Sequence, residues 1–279
     1  MQPSKFAART MVLNSFNKLL RRKGDVSAAP SVPDGERYYV IGDIHGRLDL
    51  FDALVDAIEA DIAERPEADV TIVLLGDLID RGPESAGVIE RARQWQQCRH
   101  VRILAGNHEE MFLQSFDDIE VLRHFLKHGG RETILSFGLA AKDYRKLDLN
   151  ELYERLPQIV PGETRQYVAG FEEMIEAGDY LFVHAGINPE LDIESQKRSD
   201  LLWIRERFLR HKGPFPKVIV HGHTIFDEIE FKRDRIGLDT GAFRSGVLTA
   251  LVLESATRRS IQSIEKKKCI KIEHEEIES

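Results

Sequence analysis

Five short loops of the sequence carry aspartate, asparagine or histidine next to glycine, and each loop follows an apolar run. The glycines allow tight backbone turns and leave room for a ligand beside the chain. Any one of these short patterns occurs by chance, but five in succession indicate one shared site. The loops are Gly42-Asp43-Ile44-His45-Gly46, Gly76-Asp77-Leu78-Ile79-Asp80-Arg81-Gly82, Gly106-Asn107-His108-Glu109, His184-Ala185-Gly186 and His221-Gly222-His223-Thr224.

Six side chains of these loops supply oxygen and imidazole nitrogen, and no thiolate is among them. This mixed set suits Mn, Fe or Zn in an open catalytic site better than a closed structural zinc. Because one carboxylate can bridge two metals, six ligands can hold two divalent ions, for which we expect Mn, with Fe or Zn as alternatives. Such a pair, about 3.5–4 Å apart, clamps the attacking and leaving oxygens of an in-line displacement at phosphorus and turns a shared water into the attacking hydroxide. The six are Asp43, His45, Asp77, Asn107, His184 and His223.

Three more polar residues of the same loops are candidates for acid catalysis and phosphate binding. His108 directly follows Asn107, so its side chain points in a different direction and can face a substrate. A histidine there can protonate a leaving alkoxide near neutral pH. Asp80 is placed to orient that imidazole and to favour its protonated form. Arg81 is expected to contact phosphate, because a guanidinium binds phosphate oxygens in a fork and stays charged.

The apolar runs before the first three loops predict buried strands, with helices between them. Such alternation predicts an α/β sheet, with the functional loops at the carboxyl ends of the strands. Apolar residues from Leu48 to Ile62 have the spacing of one helix face, and Pro83 suits the start of a second helix. The predicted strands are 38–41, 70–75 and 101–104.

The second half of the chain is predicted to add a second sheet. A Gly178-Asp179 turn between two apolar runs indicates a hairpin. Residues 110–161 are predicted to be helical and to cover the site, and Asp200 to Leu209 to form one helix. Further strands are predicted at 218–220, 236–238, 247–253 and 261–264.

Composition limits the classes of protein to consider. With 279 residues and 42% hydrophobic content, the chain can bury one sizeable core. Its net charge of −8 argues against general nucleic-acid binding. Cys98 and Cys269 have neither metal-ligand nor redox spacing, which favours a reducing cytoplasm, and no apolar run is long enough to span a bilayer.

Three segments are predicted from these features. Residues 1–36 form a leader and linker, 37–265 a catalytic domain, and 266–279 a charged C-terminal tail that frays. The leader lacks the apolar stretch of a signal peptide. A short amphipathic helix around Phe16 and Leu19 is an alternative to a frayed leader.

Taken together, the five loops resemble the metallophosphoesterase superfamily. The loops at Asp77 and Asn107 are similar to the phosphoprotein phosphatase branch, which includes eukaryotic Ser/Thr phosphatases and compact bacterial and phage protein phosphatases. The resemblance covers about Tyr39 to Leu253. It implies a four-layer α/β-β/α sandwich of two mixed sheets, with a dimetal site at the strand ends.

The resemblance also implies how the ligands are shared. Asp77 would bridge the two ions, and His108 would be the general acid with Asp80 as its partner. Arg205 is similar to a second phosphate-binding arginine, but the match is looser there, so Arg207 or an ordinary charged helix face stays open. Asp43 and His45 would complete one metal site, and Asn107, His184 and His223 the other.

These features favour a phosphomonoesterase that acts on phosphoserine and phosphothreonine in proteins or on a small phosphoester. A symmetrical dinucleoside polyphosphate hydrolase, acting on diadenosine tetraphosphate, is the main alternative. That group has similar metal loops but lacks the acid at the Asp80 position, so Asp80 and Glu109 favour the protein phosphatases. A diesterase for nucleic acid or cyclic nucleotides suits the acidic balance poorly. An inactive binding module would be expected to have lost a ligand or the acid, and here all are present.

Overall fold

A computed structural model of the chain describes residues 29–267 and 269–277. The amphipathic segment around Phe16 and most of the predicted leader lie outside these residues. Eleven strands are present in the described part. They are β1 (Glu36–Ile41), β2 (Asp69–Leu74), β3 (His100–Ile103), β4 (Met174–Ala177), β5 (Tyr180–Val183), β6 (Val218–His221), β7 (Glu230–Phe231), β8 (Arg235–Gly237), β9 (Val247–Glu254), β10 (Thr257–Lys266) and β11 (Cys269–Ile277).

The strands form two mixed sheets. The first has the order β11-β10-β9-β1-β2-β3, and the second has the order β4-β5-β6-β8-β7. In the first sheet β1, β2 and β3 are parallel, and in the second β5, β6 and β8 are parallel. The carboxyl ends of parallel strands share one edge of a sheet, so the loops that follow these strands are brought together.

Helices cover the outer faces of both sheets and the region over the strand ends. A π-type turn at Leu126–Gly130 contains Gly129 at φ 109° and separates two of the helices. None of the described helices is both long and apolar enough to cross a membrane. The helices are α1 (Leu48–Glu64), α2 (Ser85–Gln96), α3 (Asn107–Gln114), α4 (Ile119–Phe125), α5 (Arg131–Ser136), α6 (Ala141–Tyr144), α7 (Leu149–Ile159), α8 (Gly162–Ala169), α9 (Arg198–Trp203), α10 (Glu206–Leu209) and α11 (Ala242–Ser245), with a 3₁₀ turn at Ile193–Ser195.

Three apolar clusters hold the layers together. In β1, Tyr39 and Ile41 pack against the outer helices, while Tyr38 and Val40 pack between the two sheets. A third cluster lies between the second sheet and α9 and α10. Side chains alternate across a strand, and both faces of the central strands are covered, which is why these strands read as continuous apolar runs. The predicted four-layer α/β-β/α sandwich is confirmed.

The expectation that the charged C-terminal segment frays is wrong for Cys269–Ile277. This segment is β11, antiparallel to β10 along its whole length. Its charges are compatible with a strand because β11 lies at the sheet edge, where most of its side chains are exposed. Charged residues on an edge strand also discourage pairing with another chain. Ile270 and Ile272 still pack against the outer core.

The single helix predicted from Asp200 to Leu209 is also wrong, because the segment forms two short helices. Ile204 is extended, with ψ 143°, and Arg205 has φ −134° and ψ −99°. Ile204 is buried in the cluster beside the second sheet. The break between α9 and α10 brings the Arg205 side chain to the strand ends of the second sheet.

Candidate metal and phosphate site

The Asp77 carboxylate lies at the centre of the predicted ligand set. Its Oδ2 atom is 3.5 Å from His45 Nε2, and its Oδ1 atom is 3.4 Å from His184 Nε2. The two oxygens therefore face histidines from different sheets. Backbone contacts fix this arrangement: the His45 amide donates to the Asp77 carbonyl (2.9 Å), and His184 Nδ1 lies 2.8 Å from the Leu75 carbonyl.

Two clusters of buried donors share Asp77. One contains His45, Asp77 and His108, the other Asp77, His184 and His223, and the donor atoms within each lie within 4.8 Å of one another. His45 Nε2 is buried and has no hydrogen-bond partner among the described residues. An orphaned imidazole nitrogen beside a carboxylate, in a set without thiolate, fits a divalent metal ion. The chain thus has Asp and His groups positioned for a metal site.

Asn107 belongs with the second cluster, whereas Asp43 joins neither cluster. Asn107 Oδ1 lies 3.0 Å from His184 Nε2 and 2.7 Å from His223 Nδ1. Both oxygens of Asp43 accept the backbone N–H of His223, at 3.2 and 3.0 Å. A Cβ atom at Gly222 would lie 2.0 Å from Asp43 Oδ1, so only glycine allows this approach. Asp43 therefore links the loops after β1 and β6.

The three predicted histidine ligands are held in the neutral form, which a metal ligand requires. Burial lowers the pKa of His45 well below its usual value, and it also lowers the pKa of His184. Burial, with His184 as a neighbour, lowers the pKa of His223 to about 2. A neutral imidazole leaves a ring nitrogen lone pair available for a cation.

The backbone of the site is strained. Seven non-glycine residues in the described part of the chain have positive φ, and five of them belong to the site loops. Left-handed backbone in a residue with a Cβ costs about 1–3 kcal/mol and persists where the surroundings fix it, often at functional sites. The five are His45, Asp77, Asp80, Arg81 and His223, with φ 47°, 49°, 73°, 68° and 62°.

The predicted acid and its partner are in contact. His108 Nδ1 lies 2.5 Å from Asp80 Oδ2, and both side chains are buried. The hydroxyl of Thr133, from α5, donates to the other Asp80 oxygen at 2.5 Å. Burial alone would lower the pKa of His108, but the charge of Asp77 and the hydrogen bond to Asp80 outweigh it, so this pKa is raised. His108 is thereby set apart from the neutral histidines around it.

Arg81 and Arg205 lie at different places in the site, and Arg207 lies outside it. Arg81 Nη2 lies 2.9 Å from His108 Nε2, and its guanidinium stacks on the Phe243 ring at 4.6 Å. Arg205 Nε donates to His223 Nε2 at 2.9 Å. Arg207, in contrast, pairs on the surface with Glu190. Of the two arginines that the sequence leaves open, only Arg205 reaches the site.

Three residues at the site were not predicted from the sequence: Thr133, Phe243 and Asp239. Nothing in the local sequence marks Thr133 or Phe243. Asp239 is different, because it directly follows a predicted strand (236–238), and Asp43 and Asp77 also follow predicted strands. It is buried, and burial raises its pKa to about 6, with Asp77 adding to the effect. His221, which is outside the predicted ligand set, is buried, and its ring centroid lies 5.0 Å from that of Phe208.

Two mixed sheets with Asp and His donors gathered at their carboxyl edge define a metal-dependent phosphoesterase. The model of the calcineurin-like phosphoesterase family matches residues 36–243, and the chain belongs to that family. It is accordingly a hydrolase of phosphoric ester bonds.

Individual relatives carry two kinds of name. Serine/threonine-protein phosphatase 1 of Salmonella typhimurium is 30% identical, over 76% of this chain and 89% of its own. An asymmetrical bis(5'-nucleosyl)-tetraphosphatase of Anoxybacillus flavithermus is 27% identical, over 77% of this chain and 89% of its own. A crystal structure provisionally described as a diadenosine tetraphosphatase has a TM-score of 0.55 and 20% identity, and covers 89% of this chain and 99% of that one. That structural likeness supports the fold.

Proposed function

We propose that the chain is a metal-dependent phosphomonoesterase that removes phosphate from serine and threonine residues of proteins. The catalytic unit proposed for it runs from Arg37 to Glu265. Two divalent ions, with Mn expected, would be held by the six predicted ligands, and Asp77 would be shared between them. When bound, such ions polarise the phosphoryl group and lower the pKa of a coordinated water.

The contact between His108 and Asp80 is the observation that carries this proposal. A serine or threonine leaving group departs as a strongly basic alkoxide, so its departure needs a proton. His108 Nε2 faces the Arg81 guanidinium at 2.9 Å, which puts the acid next to the group proposed to hold phosphate. Asp80 keeps the proton on the other ring nitrogen, Nδ1, and favours the protonated ring.

The second candidate is cleavage of a dinucleoside tetraphosphate. The Anoxybacillus flavithermus relative is named for that activity. Its leaving group is itself a phosphate, which is stable as an anion and does not need an acid. A buried acid with a dedicated carboxylate partner therefore favours the phosphoserine and phosphothreonine substrates. The name of the Salmonella typhimurium relative supports the same choice.

A substrate panel at fixed Mn tests the proposal. The full chain is stripped with EDTA, reloaded with Mn and offered a phosphothreonine peptide, p-nitrophenyl phosphate and diadenosine tetraphosphate. We expect phosphate release from the peptide, little turnover of the dinucleotide, and loss of most activity in a folded Asp77→Asn variant. Asp227→Asn, an exposed aspartate outside the predicted site residues, is the matched control. Preference for the dinucleotide would favour the second candidate, and inactivity on all three would contradict both.

A further inference from the structure

Asp239 is a buried carboxylate next to the predicted ligands but outside their set. Only 1% of the residue is exposed. Its Oδ1 atom accepts the Gly241 amide at 2.9 Å, which leaves Oδ2 buried and without a hydrogen-bond partner among the described residues. A buried carboxylate oxygen without a donor is costly, so this oxygen calls for a cation or a donor beyond the protein groups around it.

The loop after β8 places Asp239 against the loop that carries Asp43. A Cβ atom on Gly42 would lie 2.5 Å from the Leu238 carbonyl oxygen, so the two backbones touch. Burial and then the charges of Asp239 and Asp77 raise the pKa of Asp43, and the charge of Asp77 also raises the pKa of the buried Asp239. Three buried aspartates therefore converge, while Arg81 is a cation that acts on Asp43 and Asp239 alike.

Formal charge explains why three carboxylates can be accommodated there. The imidazoles of the predicted ligands His45, His184 and His223 are neutral, and Asn107 carries no charge. Asp43 and Asp77 supply two negative charges for the two dications proposed above, and Asp239 supplies a third. Without a cation, three buried carboxylates repel one another; with two dications, the third brings the site closer to neutrality.

We propose that Asp239 is a further acidic residue of the divalent-cation site, and that it strengthens metal binding on the side that holds Asp43 and His45. The inference rests on the proposed metal centre. Asp239 acts there as a positioning and charge-balancing residue, whether its Oδ2 atom meets the cation directly or through Asp43. Its contact with Gly241 also fixes the loop, and that second role has to be separated from the first.

The test compares metal binding with stability in the absence of metal. Isothermal titration of Mn into the EDTA-treated full chain is run for the wild type, Asp239→Asn and the exposed-site control Asp227→Asn. Asparagine keeps an oxygen for the Gly241 amide and removes the charge. We expect Mn affinity to fall about 10- to 100-fold in Asp239→Asn and to stay unchanged in the control. In EDTA, urea unfolding of Asp239→Asn should need as much urea as the wild type or more, because repulsion is relieved.

The outcomes separate this inference from the proposed function. If the wild type binds Mn and Asp239→Asn binds it equally well, Asp239 only fixes the loop and the inference is overturned. If the wild type binds no Mn, the metal centre itself fails. If Asp239→Asn does not fold, Asp239→Ser removes the same charge in a smaller side chain, and the same loss of Mn affinity is expected of it.

Discussion

The buried carboxylate of Glu109 accepts the backbone amide of Asp77 at 2.9 Å. It also accepts the amides of Leu78 and Gly106, each at 2.8 Å, so both of its oxygens are used by backbone donors. Glu109 thus connects the loop after β2, which carries the central aspartate, to the loop after β3, which carries Asn107. A carboxylate suits this position because it accepts hydrogen bonds with both oxygens.

Replacing Glu109 with glutamine should therefore weaken the site and the fold together. The new amide group would face a backbone N–H, which leaves a buried donor unsatisfied at a cost of about 1–3 kcal/mol. We expect Glu109→Gln to unfold at lower urea concentration and to bind Mn more weakly. Glu120→Gln is the control, because Glu120 is exposed and pairs with nearby Arg123 on the surface. Wild-type stability in Glu109→Gln would show that the three amide contacts contribute nothing.

The pair Arg205 and Arg207 tests the proposed phosphate contacts. Arg205 reaches His223, whereas Arg207 pairs with Glu190 at the surface. A charge-assisted hydrogen bond to phosphate contributes about 1.5–3 kcal/mol, which corresponds to roughly 10- to 100-fold in rate. We expect Arg205→Ala to lose that much in kcat/KM on a phosphopeptide and Arg207→Ala to lose almost nothing. Steady-state kinetics at fixed Mn measures kcat/KM for both variants. Equal losses in the two would contradict a phosphate contact made by Arg205 and not by Arg207.

These residues also show how much of the site can be predicted from the sequence alone. The positions of Asp43, Asp77 and Asn107 follow from a local rule, since each ends an apolar strand and parallel strands end at one edge. The place of Arg205 depends on a break between two helices, which comes from burying Ile204 rather than from any helix-breaking residue.

Other features of the structure depend on contacts between residues that are far apart in the sequence. Thr133 reaches Asp80 from a helix 53 residues later in the chain, a contact that no local pattern records. The strand β11 was missed because its charges resemble those of a solvated tail, while its pairing with β10 lies outside the local sequence. Asp239 also follows a parallel strand, β8, so the rule that found Asp43 could have found it as well.

Removal of the Asp80 carboxylate should slow hydrolysis most for substrates whose leaving group must be protonated as it departs. In Asp80→Asn the imidazole of His108 loses its charged partner and is protonated less readily. General acid catalysis contributes about 10²- to 10⁴-fold, so we expect at least a 100-fold loss of kcat on a phosphothreonine peptide. The loss on p-nitrophenyl phosphate should be much smaller, because nitrophenolate is a weak base.

The measurement is the ratio of the loss of kcat on the phosphothreonine peptide to the loss on p-nitrophenyl phosphate. Asp227→Asn should change neither rate, since Asp227 is exposed and outside the predicted site residues. An equal loss on both substrates would show that Asp80 maintains the structure of the loop, with no part in proton transfer.

Stability at low pH should depend on Asp61, which lies on α1 far along the sheet from the metal loops. Its carboxylate accepts two hydrogen bonds from Arg259, at 2.9 and 3.0 Å, and one from the Tyr39 hydroxyl at 2.6 Å. Burial alone would raise the pKa of Asp61, but these contacts outweigh it and hold the pKa below its usual value. The ionised form thus stabilises the fold above the unfolded-state pKa, near ~3.9, and this contribution is lost as the pH falls below it.

We expect Asp61→Asn to lower the free energy of unfolding at pH 7 by about 3 kcal/mol, since it leaves Arg259 buried without its partner. Urea unfolding in EDTA at pH 7 and at successively lower pH should show the difference from the wild type shrinking towards pH 4 and below. A difference that stayed constant over that range would mean that the ionisation of Asp61 does not stabilise the fold.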